Sequence, residues 1–309
     1  MSIVFFGTTD TGHYCLAQML AAGLPVAGVV TGPPEFEISY AKGKVQNLRH
    51  RSFHDLAAAC NLPLLTFQRK FDEDVVQTLR QWQPQLLVVI GWYHLIPARV
   101  RALAPLGAVG MHWSLLPKYR GGSPLVWAMI QGEAETGASL FYLEDRVDTG
   151  PLVAQEAVTI GAHDDVQEMI ARLNRISGRL VVEHIPRILQ GTARSWPQDE
   201  SRATYFPPRS PADGQIDWRW PAQRLYDFIR AQTLPYPCAF THYRGERVRL
   251  VKATLAPRRG LHTAVRAGDG RWLGLETILV AEETEVKNAR DFFGRDEVVF
   301  EQSETAQPL

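Results

Sequence analysis

Leu86-Leu87-Val88-Val89-Ile90 is the stretch on which the fold turns. Five apolar residues in a row, with no polar alternation, suit a strand covered on both faces, as in parallel sheets flanked by helices. Residues 3–6 and 26–30 have the same character. Helix-period segments separate these runs: 12–22, with Tyr14, Leu16, Met19 and Leu20 as its apolar positions, 53–60, and 72–82 behind an acidic first turn. Residues 32–50 read as a polar loop and 64–67 as extended. This order predicts an α/β architecture, a doubly wound, mostly parallel sheet with right-handed crossovers and 86–90 as a central strand.

Farther along, 107–109 is strand-like, 124–131 is a helix opened by Pro124 at its first position, and 138–143 and 152–158 are strands. Residues 164–190 form a long helix with Asp164 as its N-cap and Pro186 as a kink or early stop. The Pro-, Ser- and charge-rich residues 191–215 read as a linker. An amphipathic helix over 221–232 and short β segments at 239–243, 248–253, 263–267 and 273–281 then predict a smaller, mostly antiparallel, barrel-like domain. A chain of 309 residues exceeds what one core usually serves, so the expected domains are 1–200 and 201–309.

Thirty-three basic residues balance 33 acidic ones. The balance also holds locally: 16 Lys and Arg against 14 Asp and Glu from Ser201 onward, 17 against 19 before it. A domain built to grip nucleic acid usually carries a basic excess, so a small partner is favoured over tRNA. Cys15, Cys60 and Cys238 are too few and too scattered for a disulfide framework or a metal site. There is no signal-like N-terminus and no apolar run of membrane-spanning length, so a cytoplasmic protein without membrane attachment is expected.

Chemistry concentrates in two places. Residues 110–122, GMHWSLLPKYRGG, follow a strand and carry an imidazole, a hydroxyl, two cationic heads and a Gly pair, where open α/β sheets place ligands. Residues 144–150, EDRVDTG, put Asp148 before a Thr-Gly turn. A carboxylate beside His112 would favour the imidazolium and orient the ring. The plainer readings are a hydrogen-bonded structural histidine and an aspartate serving its own turn.

The run His112-Trp113-Ser114-Leu115-Leu116-Pro117-Lys118-Tyr119-Arg120-Gly121 resembles the HxSLLPxxRG signature of folate-dependent formyltransferases. Residues 132–137 (GEAETG) and 147–150 (VDTG) resemble that family's GExETG and DTG elements. The opening FFGTTDTGHYCL, residues 89–97 (VIGWYHLIP) and 207–240 are also similar to it. The resemblance implies formyl transfer from 10-formyltetrahydrofolate to a primary amine. It also implies the formyltransferase fold, with a folate-binding α/β domain followed by an open-barrel domain. His112 and Asp148 match two members of the family's Asn-His-Asp trio, while the Asn position is Gly110. An amide there would donate to the formyl oxygen as it gains charge, and losing one such donor costs ~10²–10³ in rate. Gly110 leaves room for a water, a backbone N–H or a side chain such as Tyr93. The hydrolase domain of 10-formyltetrahydrofolate dehydrogenase, a relative, also lacks this Asn.

By the same resemblance the pterin ring would lie between Val89, Ile90, Gly91, Trp92 and Tyr93 on one side and Tyr142, Leu143, Glu144 and Asp145 on the other. Ser114, Leu115, Leu116 and Pro117 would flank the rest of the folate. The acceptor ranks as a small amine, such as a nucleotide-linked amino sugar, then methionyl-tRNA, then water. A catalytically weak folate binder is the reading outside enzymes, and a homodimer is left open. Lys42, Lys44, Arg49 and Arg51 would either contact a diphosphate or form a solvated face. A nicotinamide enzyme is disfavoured because residues 7–12, GTTDTG, lack GxGxxG spacing. No metal is expected: His50 and His54 lack an HExxH glutamate or a third ligand. Trp92, Trp113 and Trp127 read as core before ligand platforms, His94 as either packing or a ligand contact, and Tyr236 as shaping a loop.

Overall fold

The protein is described by a computed structural model over residues 1–38 and 43–300; Lys42 lies outside the described residues. The elements in chain order begin with β1 (Ile3–Phe6), α1 (Asp10–Ala21), β2 (Val26–Thr31), β3 (Glu35–Glu37), β4 (Lys44–Gln46), α2 (His54–Ala59), β5 (Leu64–Thr66) and α3 (Glu73–Gln81). There follow β6 (Leu86–Val89), α4 (Ala98–Arg101), β7 (Ala108–His112), β8 (Arg120–Gly121), α5 (Pro124–Ile130), β9 (Glu135–Tyr142), β10 (Leu152–Thr159) and α6 (Val166–Leu189). The chain ends with β11 (Tyr205–Phe206), α7 (Ala222–Arg230), β12 (Ala239–Tyr243), β13 (Glu246–Thr254), β14 (Thr263–Arg266), β15 (Trp272–Val280), β16 (Lys287–Asn288) and α8 (Ala289–Phe293).

Seven strands form the main sheet in the order β10-β9-β7-β6-β1-β2-β5, with β6 at its centre. The pairs β1/β2, β1/β6, β2/β5 and β6/β7 are parallel, and β9 runs antiparallel to β7. The uniformly apolar strands are those buried on both faces: all four residues of β1 and of β6 are buried. Each such side chain contributes roughly 1.5–3 kcal/mol. The strand order reverses between β1 and β6, and the chain is tight there. A side chain at Gly12 would place its Cβ 2.4 Å from the Ile90 carbonyl oxygen, and one at Gly91 would collide with Thr9. Local capping agrees with this packing: Thr9 caps α1 through Gly12 N–H, and Asp72 caps α3 through Val75 N–H.

Contacts divide the described chain into two compact units. The first comprises the described residues of Met1–Gly121 with Gly137–Val158 and Ala171–Tyr205; the second comprises Gly122–Thr136, Thr159–Ile170 and the described residues from Phe206 onward. In the second, β12, β13, β15 and β14 make an antiparallel sheet joined by β16, which is the mostly β architecture expected of the C-terminal part.

Four local expectations are corrected. The polar loop 32–50 contains the β3/β4 hairpin and buries Phe36 and Asn47. Asp165, not Asp164, starts α6: Asp165 and Glu168 exchange backbone-to-carboxylate hydrogen bonds, while Asp164 binds Gly161 N–H. Pro186 does not stop α6, which runs on to Leu189, because only its last turn follows the missing donor. Residues 191–215 are not a free linker. Trp196 bridges to Leu152, and β11 pairs with β8. Among the described residues no helix is long and apolar enough to cross a membrane.

Candidate active site

His112 is the last residue of β7 rather than part of the loop after a shorter strand, and it is only 8% exposed. Its Nε2 lies 2.7 Å from the Tyr119 carbonyl oxygen. A carbonyl only accepts, so Nε2 carries a proton and donates. In the neutral ring the lone pair is then at Nδ1, which faces Asp148 Oδ2 at 3.6 Å. That gap is too long for a direct hydrogen bond but short enough for strong attraction once the ring is cationic. The two residues, 36 positions apart along the chain, are brought together by folding.

Asp148 sits in a turn with left-handed backbone (φ 57°), and its Oδ2 accepts from Gly121 N–H at 2.8 Å. Gly121 belongs to the same signature as His112, so that motif's end orients the carboxylate aimed at its start. The next link was not legible in the sequence. Gln198 Nε2 donates to the carbonyls of Asp148 and Gly150, both at 2.8 Å. Its Oε1 accepts from Nε and NH2 of Arg120, a fully buried side chain that also forms a two-point pair with Glu200 and bonds the Tyr205 hydroxyl. These bonds hold the Glu200 carboxyl below its usual range and raise the guanidinium.

Gly110 pairs with Val89 on β6 and Phe141 on β9. Two residues before His112 on one strand, a side chain there would share the face of the imidazole. An ideal Cβ at position 110 would lie 2.8 Å from Leu143 Cδ2 and 3.4 Å from Phe141 Cε1, so the tip of the Leu143 side chain would have to shift for a side chain to stand there. Tyr93 does not supply the donor: its hydroxyl bonds Asn47 Oδ1 at 3.2 Å and its ring packs on Phe36.

The structure brings the two expected pterin-side stretches to one apolar cluster. Val89, Ile96, Val100, Ala104 and Ala108 belong to it, with Trp92 and Leu143 packed on its margin. Arg101 ties the stretches together, bonding the Ile96 carbonyl and the Asp145 carboxylate. Ile90 is buried, Gly91 adopts left-handed backbone, Tyr142 is half-buried, and Glu144 is exposed. The indole Nε1 of Trp92 is buried without a hydrogen-bond partner. Ser114 to Pro117 form a loop held by bonds to Lys118, to Ser139 of β9 and to Gln155 of β10. Ser114 Oγ donates to the Lys118 carbonyl, Ser139 Oγ donates to the Ser114 carbonyl, and Gln155 bonds both the Leu116 carbonyl and Ser139. Leu116 and Pro117 are buried, and Leu115 lies close over Gly137.

The remaining candidates have structural partners. Trp113 Nε1 bonds Ser177 beneath the Arg49 guanidinium, and Trp127 bonds the Pro207 carbonyl. His50 Nε2 lies 3.1 Å from the Gly32 carbonyl, and among the described residues no His, Cys, Asp and Glu group could hold a metal. His94 packs among Phe36, Phe67 and Trp92, and burial lowers its pKa. In the second unit, Tyr236 N–H bonds the Thr233 carbonyl. Of the cations in the 32–50 region, Lys44 pairs with Glu35 (3.1 Å) and Arg49 with Asp10 (2.7 Å).

Residues 1–185 match the family model described as formyl transferase, and 209–287 that described as formyl transferase, C-terminal domain. The methionyl-tRNA formyltransferase of Thermodesulfovibrio yellowstonii is 30% identical over 250 residues, covering 81% of this chain and 79% of the relative. That of Chloroflexus aurantiacus is 35% identical over 260 residues, covering 84% and 82%. Among solved structures, the N-formyltransferase from Helicobacter canadensis in complex with folinic acid and dTDP-3-aminofucose matches with a TM-score of 0.66 at 16% identity. It covers 88% of this chain and 98% of that one, a likeness of fold.

Proposed function

The chain belongs to the formyl transferase family, and from that premise we propose that it moves the formyl group of 10-formyltetrahydrofolate to a small primary amine in the cytoplasm. The amino group of a nucleotide-linked sugar is the leading acceptor. The observation that carries the catalytic part is the approach of His112 Nδ1 to Asp148 Oδ2 at 3.6 Å, with Nε2 already committed to a carbonyl. Nδ1 is therefore the nitrogen that takes the proton of the attacking amine. The imidazolium so formed lies between the Tyr119 carbonyl and the Asp148 carboxylate, which stabilise it, and it returns the proton to N10 of tetrahydrofolate as the bond from N10 to the formyl carbon breaks.

10-Formyltetrahydrofolate supplies the formyl carbon, and the residues present fit its ring system. Val89 and Leu143 offer apolar faces, the exposed residues Glu144 and Asp145 border them, and Trp92 Nε1 offers an unpaired buried donor. Glycine at position 110 gives the formyl oxygen no side-chain donor, so slow transfer belongs to the proposal.

Support for a small acceptor comes from Lys44 and Arg49, whose carboxylate partners leave less positive charge for a polyanion. A second reading, methionyl-tRNA as acceptor, is favoured by the names of the relatives. One assay separates them. Protein is incubated with 10-formyltetrahydrofolate alone, with amino-sugar nucleotides, or with methionyl-tRNA, and tetrahydrofolate release is followed. Release that requires the sugar nucleotide supports the proposal. Release that requires tRNA and falls steeply with salt replaces it with the second reading. Release with no amine present identifies a hydrolase. A near wild-type rate in His112→Ala removes the imidazole from the mechanism.

A further inference from the structure

We propose that residues 198–205 are the positioning element of this site, with Gln198 and Thr204 as positioning residues and Arg120 as the anchor that fixes Gln198. The inference rests on the His112–Asp148 reading and deepens it. Each half of the pair reaches this segment through a short chain of bonds. On the aspartate side, Gln198 Nε2 holds the carbonyls of Asp148, which has left-handed backbone, and of Gly150 just after its turn. On the histidine side, Thr204 Oγ1 accepts from Tyr119 N–H at 2.8 Å, Thr204 N–H donates to the Pro117 carbonyl, and the Thr204 carbonyl accepts from Arg120 N–H. Tyr119, itself at φ 58°, presents the carbonyl that binds His112 Nε2. One segment thus sets the angle of the imidazole and the position of the carboxylate that faces it.

The investment at Arg120 is the reason to read this as more than loop packing. A wholly buried guanidinium demands compensation at every donor, and it finds it in Gln198, Glu200 and Tyr205, all in the segment. That rigid junction leaves Gln198 little freedom, so its amide N–H groups stay aimed at the Asp148 turn. Misplacement by about 1 Å of groups that meet only across a 3.6 Å gap is worth up to ~10² in rate.

Arg120→Ala would empty a buried site and is expected not to fold, so the test uses milder changes. Gln198→Glu keeps an acceptor for Arg120 but replaces both donors to the Asp148 and Gly150 carbonyls with a carboxylate oxygen. Thr204→Val removes the hydroxyl acceptor, and Thr204→Ser restores it. In the full chain with 10-formyltetrahydrofolate and dTDP-3-aminofucose, Gln198→Glu and Thr204→Val are expected to lower kcat tenfold or more. KM for the folate should stay within about threefold, and Thr204→Ser should recover the rate. The His112 imidazole nitrogen signals, assigned by their loss in His112→Gln, should move in the first two variants only. Unchanged kcat and unchanged imidazole signals in Gln198→Glu, with His112→Ala inactive, overturn the inference alone. A wild-type rate in His112→Ala overturns the catalytic reading beneath it.

Discussion

Restoring an amide at position 110 is the sharpest test of how this site differs from the family pattern. Gly110 has ordinary strand backbone, so Asn is sterically permitted by the main chain. The obstacle is Leu143 Cδ2, 2.8 Å from the new Cβ where ordinary contact begins near 3.4 Å. Gly110→Asn alone should therefore overpack the site and cost about 1–3 kcal/mol. Leu143→Ala alone removes a half-buried side chain that packs against Phe141 and Leu116, at a cost of about 2 kcal/mol, the low end for such truncations. Together the changes relieve the collision, so the double variant should cost little more than Leu143→Ala, a coupling of roughly 1–3 kcal/mol. Equilibrium denaturation of the four proteins reads this cycle. If the amide reaches the formyl oxygen, tetrahydrofolate release in the double variant should rise by ~10²–10³, or about 2.7–4 kcal/mol of barrier. Strictly additive stabilities would refute the packing part. A folded double variant with wild-type rate would refute the claim that the missing amide limits turnover.

Other outcomes are expected from the same coordinates. Of the three thiols, Cys60 is exposed and should react with an aromatic disulfide at pH 8, while Cys15 and Cys238 stay protected until the chain unfolds. Burial pushes Cys238 up to about 11 from 9.0, so the folded state holds a proton that the unfolded chain releases first. Relative to Cys238→Ser, stability should be intact below pH 9 and fall by at most roughly 2–3 kcal/mol as pH rises toward 11; parallel denaturation curves with no pH-dependent difference would contradict this. Glu200 is held below its usual carboxylate range by Arg120. Its contribution is present above the unfolded value of 4.5 and lost as pH falls through the depressed folded value, so wild type and Glu200→Gln should converge in acid melts. Asp72→Ala removes the cap of α3 and should cost about 1 kcal/mol in urea titration, with no change in formyl transfer.

The parallel sheet was legible because strands buried on both faces cannot tolerate polar alternation, and the β1 and β6 sequences show none. The acidic first turn of α3 was legible, though Asp72 proves to be its cap and not its first residue; at α6 Asp164 and Asp165 compete for the cap and only the reciprocal partner Glu168 decides. The Pro, Ser and charge content of residues 191–215 signals a solvent-exposed linker, yet Gln198, Glu200 and Tyr205 within it serve one buried cation, and composition does not reveal a partner some 80 positions away.

The amino-acid order by itself determined the fold class, the family and the two residues to examine, His112 and Asp148. These follow from local periodicity and from a motif whose spacing is set within a few residues. Only the tertiary structure decided which imidazole nitrogen faces the carboxylate, that the tip of Leu143 lies against Gly110, and that Gln198 and Arg120 hold the aspartate turn. Those are distances between segments remote in sequence. They are set by how the layers pack, and no local pattern carries that information.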